Sequence, residues 1–155
     1  MSAVPKIDID ELPVDSRPGY PPPHDKLVAG CARKRLGHAA DLDQFDVNLA
    51  TLEPGSASAL RHWHELEDEL VYVLDGELVL IEDEGETVMR SGDAAAFKAG
   101  VANGHHLVNR SRRKAVYLEI GSRRPGETVH YVDVDLALTA TNAGARFTRK
   151  DGSPV

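Results

Sequence analysis

Short apolar runs separated by turn signals, about every 8 to 12 residues, occupy the chain from about residue 44 to residue 121. Three apolar residues alternate with Asp46, Asn48 and Ala50, which is the two-residue period of a half-buried strand: Phe45, Val47 and Leu49. Asp75-Gly76 separates two apolar runs, and an Asp-Gly pair in that position predicts a β-hairpin. Because no clear helical pattern interrupts the runs, the sequence predicts an all-β sandwich or barrel.

The two flanks of this region differ from it in composition. We expect residues 1–30 to form an extended N-terminal arm, because prolines that disfavour a helix recur along it: Pro5, Pro13, Pro18, Pro21, Pro22 and Pro23. Part of the arm could lie on a sheet through Ile7, Ile9 and Leu12, or the arm could be a partly disordered tail. The remaining chain divides into a barrel over residues 31–135 and a polar C-terminal tail over residues 136–155.

Charge and cysteine content argue against several classes of function. The 155-residue chain carries a formal net charge of −7, which disfavours a nucleic-acid partner or an anionic membrane surface. Cys31 is the single cysteine, so the sequence predicts neither a disulfide framework nor a cysteine-based zinc cluster. Residues 1–20 are acidic without an apolar core, and no apolar run reaches the ~20 residues of a membrane span. We therefore expect a cytoplasmic protein.

His62 and His64 are the strongest chemical signal in the chain. Residues two apart on a strand point to the same face, so the two imidazoles would aim at one point. Imidazole suits zinc, copper, iron and nickel, and a carboxylate extends the set to manganese. Glu69 begins the next apolar run and is the favoured carboxylate, whereas the other acids of the segment are expected to be solvated: Glu65, Glu67 and Asp68. A helical zinc-protease motif fails, because it needs a histidine at position 68.

Gly104-His105-His106 forms a second histidine cluster. On a strand, His105 would share one face with Asn109, and His106 would share the other with Arg110. An arginine belongs in solvent or at a subunit boundary rather than beside a cation, so His105 is the predicted ligand. A bulge before the strand would shift the register by one residue and exchange the two roles. The other histidines stand alone and are interpreted as surface or satisfied residues: His24, His38 and His130.

At these residues the chain resembles the cupin superfamily, most of all its small single-domain bacterial members. The first cupin motif is matched from Gly55 to Gly76, and the second from Gly92 to Asn109, where Lys98 replaces the usual proline. Arg61–His64 and Gly104–Ser111 resemble segments that recur in those bacterial proteins. The resemblance implies a cupin double-stranded β-helix, a jelly-roll-like barrel, with one divalent ion (iron, manganese, nickel or zinc) on four ligands: His62, His64, Glu69 and His105.

Two functions of different class are compatible with such a site. The resemblance implies a small-molecule metalloenzyme of the dioxygenase, isomerase or decarboxylase type, in which the metal polarises an oxygen-rich substrate. The alternative is a non-catalytic barrel that binds or senses a small ligand such as a sugar or a carboxylate. The sequence assigns no catalytic residue. We also expect a homodimer, because an open sheet edge is a hazard unless paired, and the arm could cross onto a neighbour.

Several residues around the expected site have a predicted environment. Lys98 could pair a substrate carboxylate or extend into solvent. The basic run Arg33–Arg35 could be a solvated face, or an anion or subunit contact. Trp63 points away from the ligands on a regular strand, so packing is its expected role. The cavity lining is predicted to come from residues at alternating positions: Leu60, Val71, Val73, Phe97 and Leu107.

Overall fold

The protein is described by a computed structural model over residues 5–155, so residues 1–4 of the expected arm lie outside the described residues. A 3-10 helix covers His24–Val28 and a short α-helix, α1, covers Leu36–Ala39. The strands are β1 (Cys31–Arg35), β2 (Phe45–Leu52), β3 (His62–His64), β4 (Glu69–Asp75), β5 (Glu77–Glu82), β6 (Gly85–Arg90), β7 (Ala94–Phe97), β8 (His106–Val108), β9 (Ala115–Ser122), β10 (Thr128–Tyr131), β11 (Ala137–Thr141) and β12 (Gly144–Thr148). The predicted all-β class is confirmed.

Antiparallel pairing arranges the strands in three sheets. The five-stranded sheet has the order β1-β2-β9-β4-β7, the four-stranded sheet β12-β11-β10-β3, and the three-stranded sheet β6-β5-β8. The main apolar core is formed by side chains of the five-stranded and three-stranded sheets: Cys31, Ala50, Leu52, Val71, Val73, Leu78, Leu80, Met89, Leu107, Ala115 and Tyr117. Within residues 5–155, no helix has the length and apolar character that crossing a membrane requires.

The alternation predicted for β2 is present, but its two faces are the reverse of those expected. Ala50 is fully buried, whereas Phe45 is 42% exposed. Pairing with β9 sets Ala50 opposite the buried Tyr117 and Leu49 opposite Leu118, so Leu49 and Leu118 lie on the outer face. Because both faces of this sheet carry apolar side chains, alternation alone does not tell the inner face from the outer one.

The hairpin predicted at Asp75-Gly76 is wrong. β4 pairs with β7 and β9, whereas β5 pairs with β6 and β8, so the chain leaves one sheet and enters another. Gly76 has a φ of 84°, and a Cβ at this position would lie 2.9 Å from the Cα of Ala115. Glycine is therefore required at position 76 for two reasons. A side chain would collide with Ala115 where the chain crosses between sheets, and the backbone has a left-handed conformation that other residues rarely adopt.

The N-terminal arm lies along β1 of its own chain. Asp15 and Arg33 exchange two backbone hydrogen bonds of 2.8 Å, and the Ile9 carbonyl accepts a hydrogen bond from Lys34 Nζ at 2.8 Å. The 3-10 helix at His24–Val28 follows the proline run directly, so the expectation that no helix forms in the arm is wrong for that segment.

The expected polar tail contains two strands. β11 and β12 extend the four-stranded sheet beyond β10. Phe147 on β12 packs against Tyr20 and Tyr131, at ring-centroid distances of 5.9 and 6.3 Å. The division into arm, barrel and tail stays a prediction, but this packing joins the two flanks to each other.

Replacement of Gly76 tests the crossing between sheets. Gly76→Ala should lower the free energy of unfolding by about 3 kcal/mol, because left-handed strain adds to overpacking against Ala115. Gly92 is the matched control, since its φ is 93° and nothing lies within 4 Å of an added Cβ. Gly92→Ala should therefore lose only about 1 kcal/mol. Chemical denaturation followed by circular dichroism measures both values, and equal losses would contradict the close contact at Gly76.

Candidate metal centre

β3 places His62 and His64 on the same face of the four-stranded sheet. Backbone pairing with β10 sets His62 opposite Tyr131. Trp63 points to the other face, where its ring stacks on His130 at a centroid distance of 4.3 Å. The strand alternation thus turns both imidazoles toward the interior and gives Trp63 the packing contact expected of it.

Glu69 and His105 approach the same point from the other two sheets. Glu69 is the first residue of β4 and shares its inner face with the buried Val71. His105 directly precedes β8, and its backbone exchanges hydrogen bonds of 3.0 and 3.2 Å with His62. The Phe97 ring stacks on the His105 imidazole with centroids 3.5 Å apart, which fixes the plane of that imidazole.

One carboxylate oxygen, Glu69 Oε1, lies among three imidazoles. Its distance to Nε2 is 2.7 Å for His105, 3.1 Å for His64 and 3.4 Å for His62. The His62 ring centroid lies 5.0 Å from that of His64 and 4.8 Å from that of His105. The structure therefore brings together all four residues that the sequence predicts as metal ligands, and their role as ligands stays a prediction.

The Nδ1 atoms of two imidazoles determine what their Nε2 atoms present to the centre. Nδ1 of His62 lies 2.7 Å from the Leu60 carbonyl oxygen, and Nδ1 of His105 lies 2.9 Å from that of Asn103. A carbonyl oxygen only accepts, so each Nδ1 carries a proton and donates it. When neutral, both rings turn an Nε2 lone pair toward the Glu69 carboxylate. A set of acceptors that converges in this way fits a cation.

At the centre, burial and the neighbouring charged groups shift the pKa values of Glu69 and His64 in opposite directions. Burial acts to raise the pKa of Glu69, but hydrogen bonds that His105, His62 and His64 donate to its carboxylate when their rings are protonated hold that pKa well below its ordinary value. Burial also acts to lower the pKa of His64, but Glu69 and the nearby carboxylates raise it above its ordinary value. The centre thus combines an ionised carboxylate with sites that attract positive charge, either protons or a metal ion.

His106 lies on the other side of its strand. Its Nδ1 atom is 2.8 Å from the Ala59 carbonyl oxygen, and burial lowers its pKa. β8 pairs with β5 in continuous register, with Leu107 and Asn109 buried on the His105 face. Arg110 is exposed and pairs with a surface glutamate, as the register predicted. The structure therefore places His105, and not His106, beside Glu69.

A cavity of about 430 Å³ opens onto the four predicted ligands. Three of its predicted lining residues contact it: Val71, Phe97 and Leu107. Leu60 and Val73 do not line it, so that part of the prediction is wrong, and each is instead buried in an apolar cluster. An aromatic wall that the sequence did not predict comes from separate parts of the chain: Tyr20, Tyr117, Tyr131 and Phe147. Lys98 lies at the surface, where its side chain is 75% exposed and pairs with Asp68 at 3.1 Å. This position favours the interpretation that Lys98 extends into solvent.

An ion pair that the sequence did not predict lies in the cavity wall. The Arg33 guanidinium contacts the Glu119 carboxylate, and the two side chains are only 20% and 22% exposed. Asn48 Nδ2 donates to Glu119 Oε1 at 3.1 Å, and Arg33 also donates to the Ser58 carbonyl oxygen at 2.9 Å. The signal that could have found this group is the register of β1, β2 and β9, which sets all three side chains on the inner face.

Comparison with known proteins identifies the family. The sequence profile of the cupin domain matches residues 48–121. A crystal structure of a sugar phosphate isomerase from a cupin superfamily, from Silicibacter pomeroyi, is 46% identical to this chain. The match covers 97% of this chain and 96% of the other, with a TM-score of 0.94. This chain belongs to the cupin superfamily. The double-stranded β-helix implied by the motifs is thereby confirmed.

Two less similar structures share the cupin fold. The polyketide cyclase RemF from Streptomyces resistomycificus is 21% identical over 83% of this chain and 85% of its own, with a TM-score of 0.65. A predicted oxalate decarboxylase from Thermotoga maritima is 19% identical over 77% of this chain and 99% of its own, with a TM-score of 0.61. At these identities they show the fold alone. Comparison with curated proteins found no match. Cupins commonly bind a metal, and this cupin carries a suitable set of donor groups.

Exchange of each adjacent histidine tests the ligand assignment. His105→Gln should weaken the affinity for Mn²⁺ by about tenfold or more, since a lost ligand is at least as damaging as a lost partner of a ligand. His106→Gln is the matched control and should change the affinity little. Each variant is titrated with Mn²⁺ or Fe²⁺ under anaerobic conditions. Loss of metal from His106→Gln together with retention by His105→Gln would reverse the assignment, and a wild type that binds no divalent ion after reconstitution would contradict the centre.

Proposed function

We propose that this cupin is a metal-dependent isomerase that acts on a small, oxygen-rich substrate of the sugar phosphate class. The observation that carries the proposal is the convergence of three imidazole Nε2 atoms on Glu69 Oε1 in the wall of a cavity of about 430 Å³. The similar structure from Silicibacter pomeroyi, which is named a sugar phosphate isomerase, supports the reaction and the substrate class.

The four predicted ligands would hold one divalent ion, which we expect to be iron, manganese, nickel or zinc. When bound, the ion would supply Lewis acidity that polarises a carbonyl or hydroxyl oxygen of the substrate. The chain itself orients the donors before any ion arrives. The His105 ring is held by the Phe97 ring on one face and by the Asn103 carbonyl at Nδ1, while the Leu60 carbonyl fixes His62.

The polar part of the cavity wall would position the sugar. Arg33 and Asn48 hold the Glu119 carboxylate by donating to it, and its orientation is therefore fixed. An aldose–ketose isomerisation moves a proton between neighbouring carbons, and Glu119 is our candidate to take up and return that proton. Burial raises the pKa of Tyr131, so its phenol stays protonated and can donate a hydrogen bond to a sugar oxygen.

Two arginines at the edge of the same cavity would bind the phosphate. Asp15 accepts hydrogen bonds from Arg17 Nε at 2.9 Å and from Arg35 Nε at 3.0 Å. Two guanidinium groups against one carboxylate leave one positive charge, and the Arg17 and Arg35 side chains are 85% and 47% exposed. Guanidinium groups bind phosphate through several N–H donors at once, so this rim suits the phosphorylated end of a substrate.

A turnover assay tests the reaction and the rim together. The metal-reconstituted protein is incubated with aldose and ketose phosphates in D₂O, and isomerisation is followed by proton NMR. Arg35→Gln should raise KM for the phosphorylated substrate about tenfold, because one charge-assisted hydrogen bond is lost. The matched control is Arg110→Gln, whose guanidinium pairs with Glu86 outside the cavity, and it should leave KM unchanged.

The outcomes of this assay separate the two classes of function. Binding of a sugar phosphate by calorimetry without turnover would favour the non-catalytic binding barrel over the isomerase. Turnover of unphosphorylated sugars with equal efficiency would contradict the substrate class. An unchanged KM in Arg35→Gln would remove the rim from the proposal while leaving the isomerase intact.

We also propose that the cupin forms a homodimer through the outer face of its five-stranded sheet. The arm lies on β1 of its own chain, which makes this sheet face a better candidate than an exchanged arm. On β4, Leu70, Tyr72 and Leu74 are 38%, 39% and 41% exposed and share the outer face. Neighbouring strands continue that face with apolar side chains: Val47, Leu49, Leu118 and Ile120. An apolar patch of this extent is typical of an interface, and a second copy presents the same apolar patch.

Sedimentation tests the proposed dimer. The wild type should sediment at about twice the mass of one 16.8 kDa chain, and Tyr72→Lys should shift it toward the monomer, because the change buries a charge in the interface. Val101→Lys is the matched control, since Val101 is 54% exposed on a different part of the surface. A monomeric wild type, or a Tyr72→Lys variant that stays dimeric, would contradict this interface.

A further inference from the structure

The Nδ1 atom of His64 distinguishes this histidine from the other two at the centre. His62 and His105 each have a backbone carbonyl at Nδ1, at 2.7 and 2.9 Å. His64 Nδ1 is buried and has no hydrogen-bond partner of good geometry among the described residues. Of the two carboxylates within 4.0 Å of it, the closer one is Glu127, whose Oε1 atom lies at 3.4 Å. A metal-bound histidine usually donates its second N–H to a carboxylate or a carbonyl. A small movement of the His64 ring or of the Glu127 carboxylate would form such a hydrogen bond here.

Glu127 is a buried carboxylate with an unusual set of partners. The residue is 2% exposed, and its two oxygens accept hydrogen bonds from the backbone N–H groups of Glu65 at 3.0 Å and Leu66 at 2.9 Å. These are the two residues that follow His64 in the chain. Within residues 5–155, no lysine or arginine pairs with Glu127, and His64 is its one ion-pair partner. A buried carboxylate is stable only where donors or positive charge face it, and one side of Glu127 faces the His64 ring.

We infer that Glu127 is a positioning residue for His64. Its carboxylate holds the Nδ1 proton, so that the Nε2 lone pair points to the centre, and it fixes the backbone directly after the ring. A carboxylate partner also makes an imidazole a stronger donor to a metal than a carbonyl partner does. The three histidines would then be unequal ligands, two backed by neutral carbonyls and one backed by a negative charge. This inference rests on the metal centre of the proposed function, but not on the isomerase reaction.

Glu67 is the competing carboxylate and supplies the control. Its Oε2 atom is 4.0 Å from His64 Nδ1, and its side chain is 21% exposed against 3% for Glu127. Glu67 Oε1 accepts a hydrogen bond from the backbone N–H of Arg124 at 2.8 Å, which directs that carboxylate toward a different loop. Glu67→Gln therefore removes a nearby negative charge without removing Glu127, the carboxylate closer to His64 Nδ1.

Metal titration of matched variants tests the role of Glu127. Glu127→Gln keeps the size of the side chain but cannot accept from two backbone N–H groups and the His64 ring together. We expect it to weaken Mn²⁺ affinity, measured by competition with a chelator, about tenfold or more. Glu67→Gln should stay within about twofold of the wild type, since a partly exposed charge at this distance contributes little. In the Zn²⁺-loaded protein labelled at histidine with ¹⁵N, the Nδ1–H resonance of His64 should move in Glu127→Gln and not in Glu67→Gln.

A purely structural role would give a different result. If Glu127 only fixes the backbone at residues 65 and 66, Glu127→Gln should lower the melting temperature while leaving the Mn²⁺ affinity and the His64 resonance unchanged, and that result would overturn the inference. Glu127→Asp shortens the side chain and keeps its charge, and partial recovery of the affinity would support the inference if the glutamine variant unfolds. Because no substrate is used, a failed isomerase assay does not affect this test. A wild type that binds no metal would overturn the centre and the inference together.

Discussion

The close approach of Glu69 to three imidazoles is the interaction that the arrangement of the three sheets must accommodate. Each sheet contributes to it: β3 brings His62 and His64, β4 begins with Glu69, and His105 directly precedes β8. Acceptor atoms that face one another at 2.7 to 3.4 Å repel unless positive charge lies between them. The apolar core beneath, with fully buried residues such as Tyr117 and Leu78, provides the rigidity that holds these groups in place.

Local patterns in the sequence were sufficient for the fold class and for the four central residues. A histidine pair two apart on a strand shares a face by geometry alone, and the same rule separated His105 from His106. Two local predictions failed for one physical reason. The inner face of β2 and the crossing at Gly76 both depend on which sheet packs against which, and that is a tertiary property. An Asp-Gly pair and an alternating strand are equally compatible with a hairpin and with a passage between sheets.

The groups that surround the centre depend on contacts between distant residues, and sequence reasoning missed them for that reason. Arg33 stands in a basic run that is typical of a solvated surface, and its partner Glu119 is far along the chain. Glu127 follows a Pro-Gly turn, where an acidic residue is ordinarily exposed, yet it is nearly inaccessible. A charged residue is buried only when a partner is present. The partners of Arg33 and Glu127 could be identified only from the three-dimensional arrangement of the strands.

The four central residues and most of the aromatic wall come from different parts of the chain. The four central residues all lie within residues 48–121, the part that matches the cupin domain. Three of the four residues of the aromatic wall lie outside it, as do the paired arginines around Asp15, and they line the same cavity: Tyr20, Tyr131 and Phe147. Substitutions in these flanks can therefore alter the shape and charge of the cavity while the four central residues stay unchanged. Related cupins that differ mainly in these flanks would then be expected to differ in the size and charge of the molecule that fits the cavity.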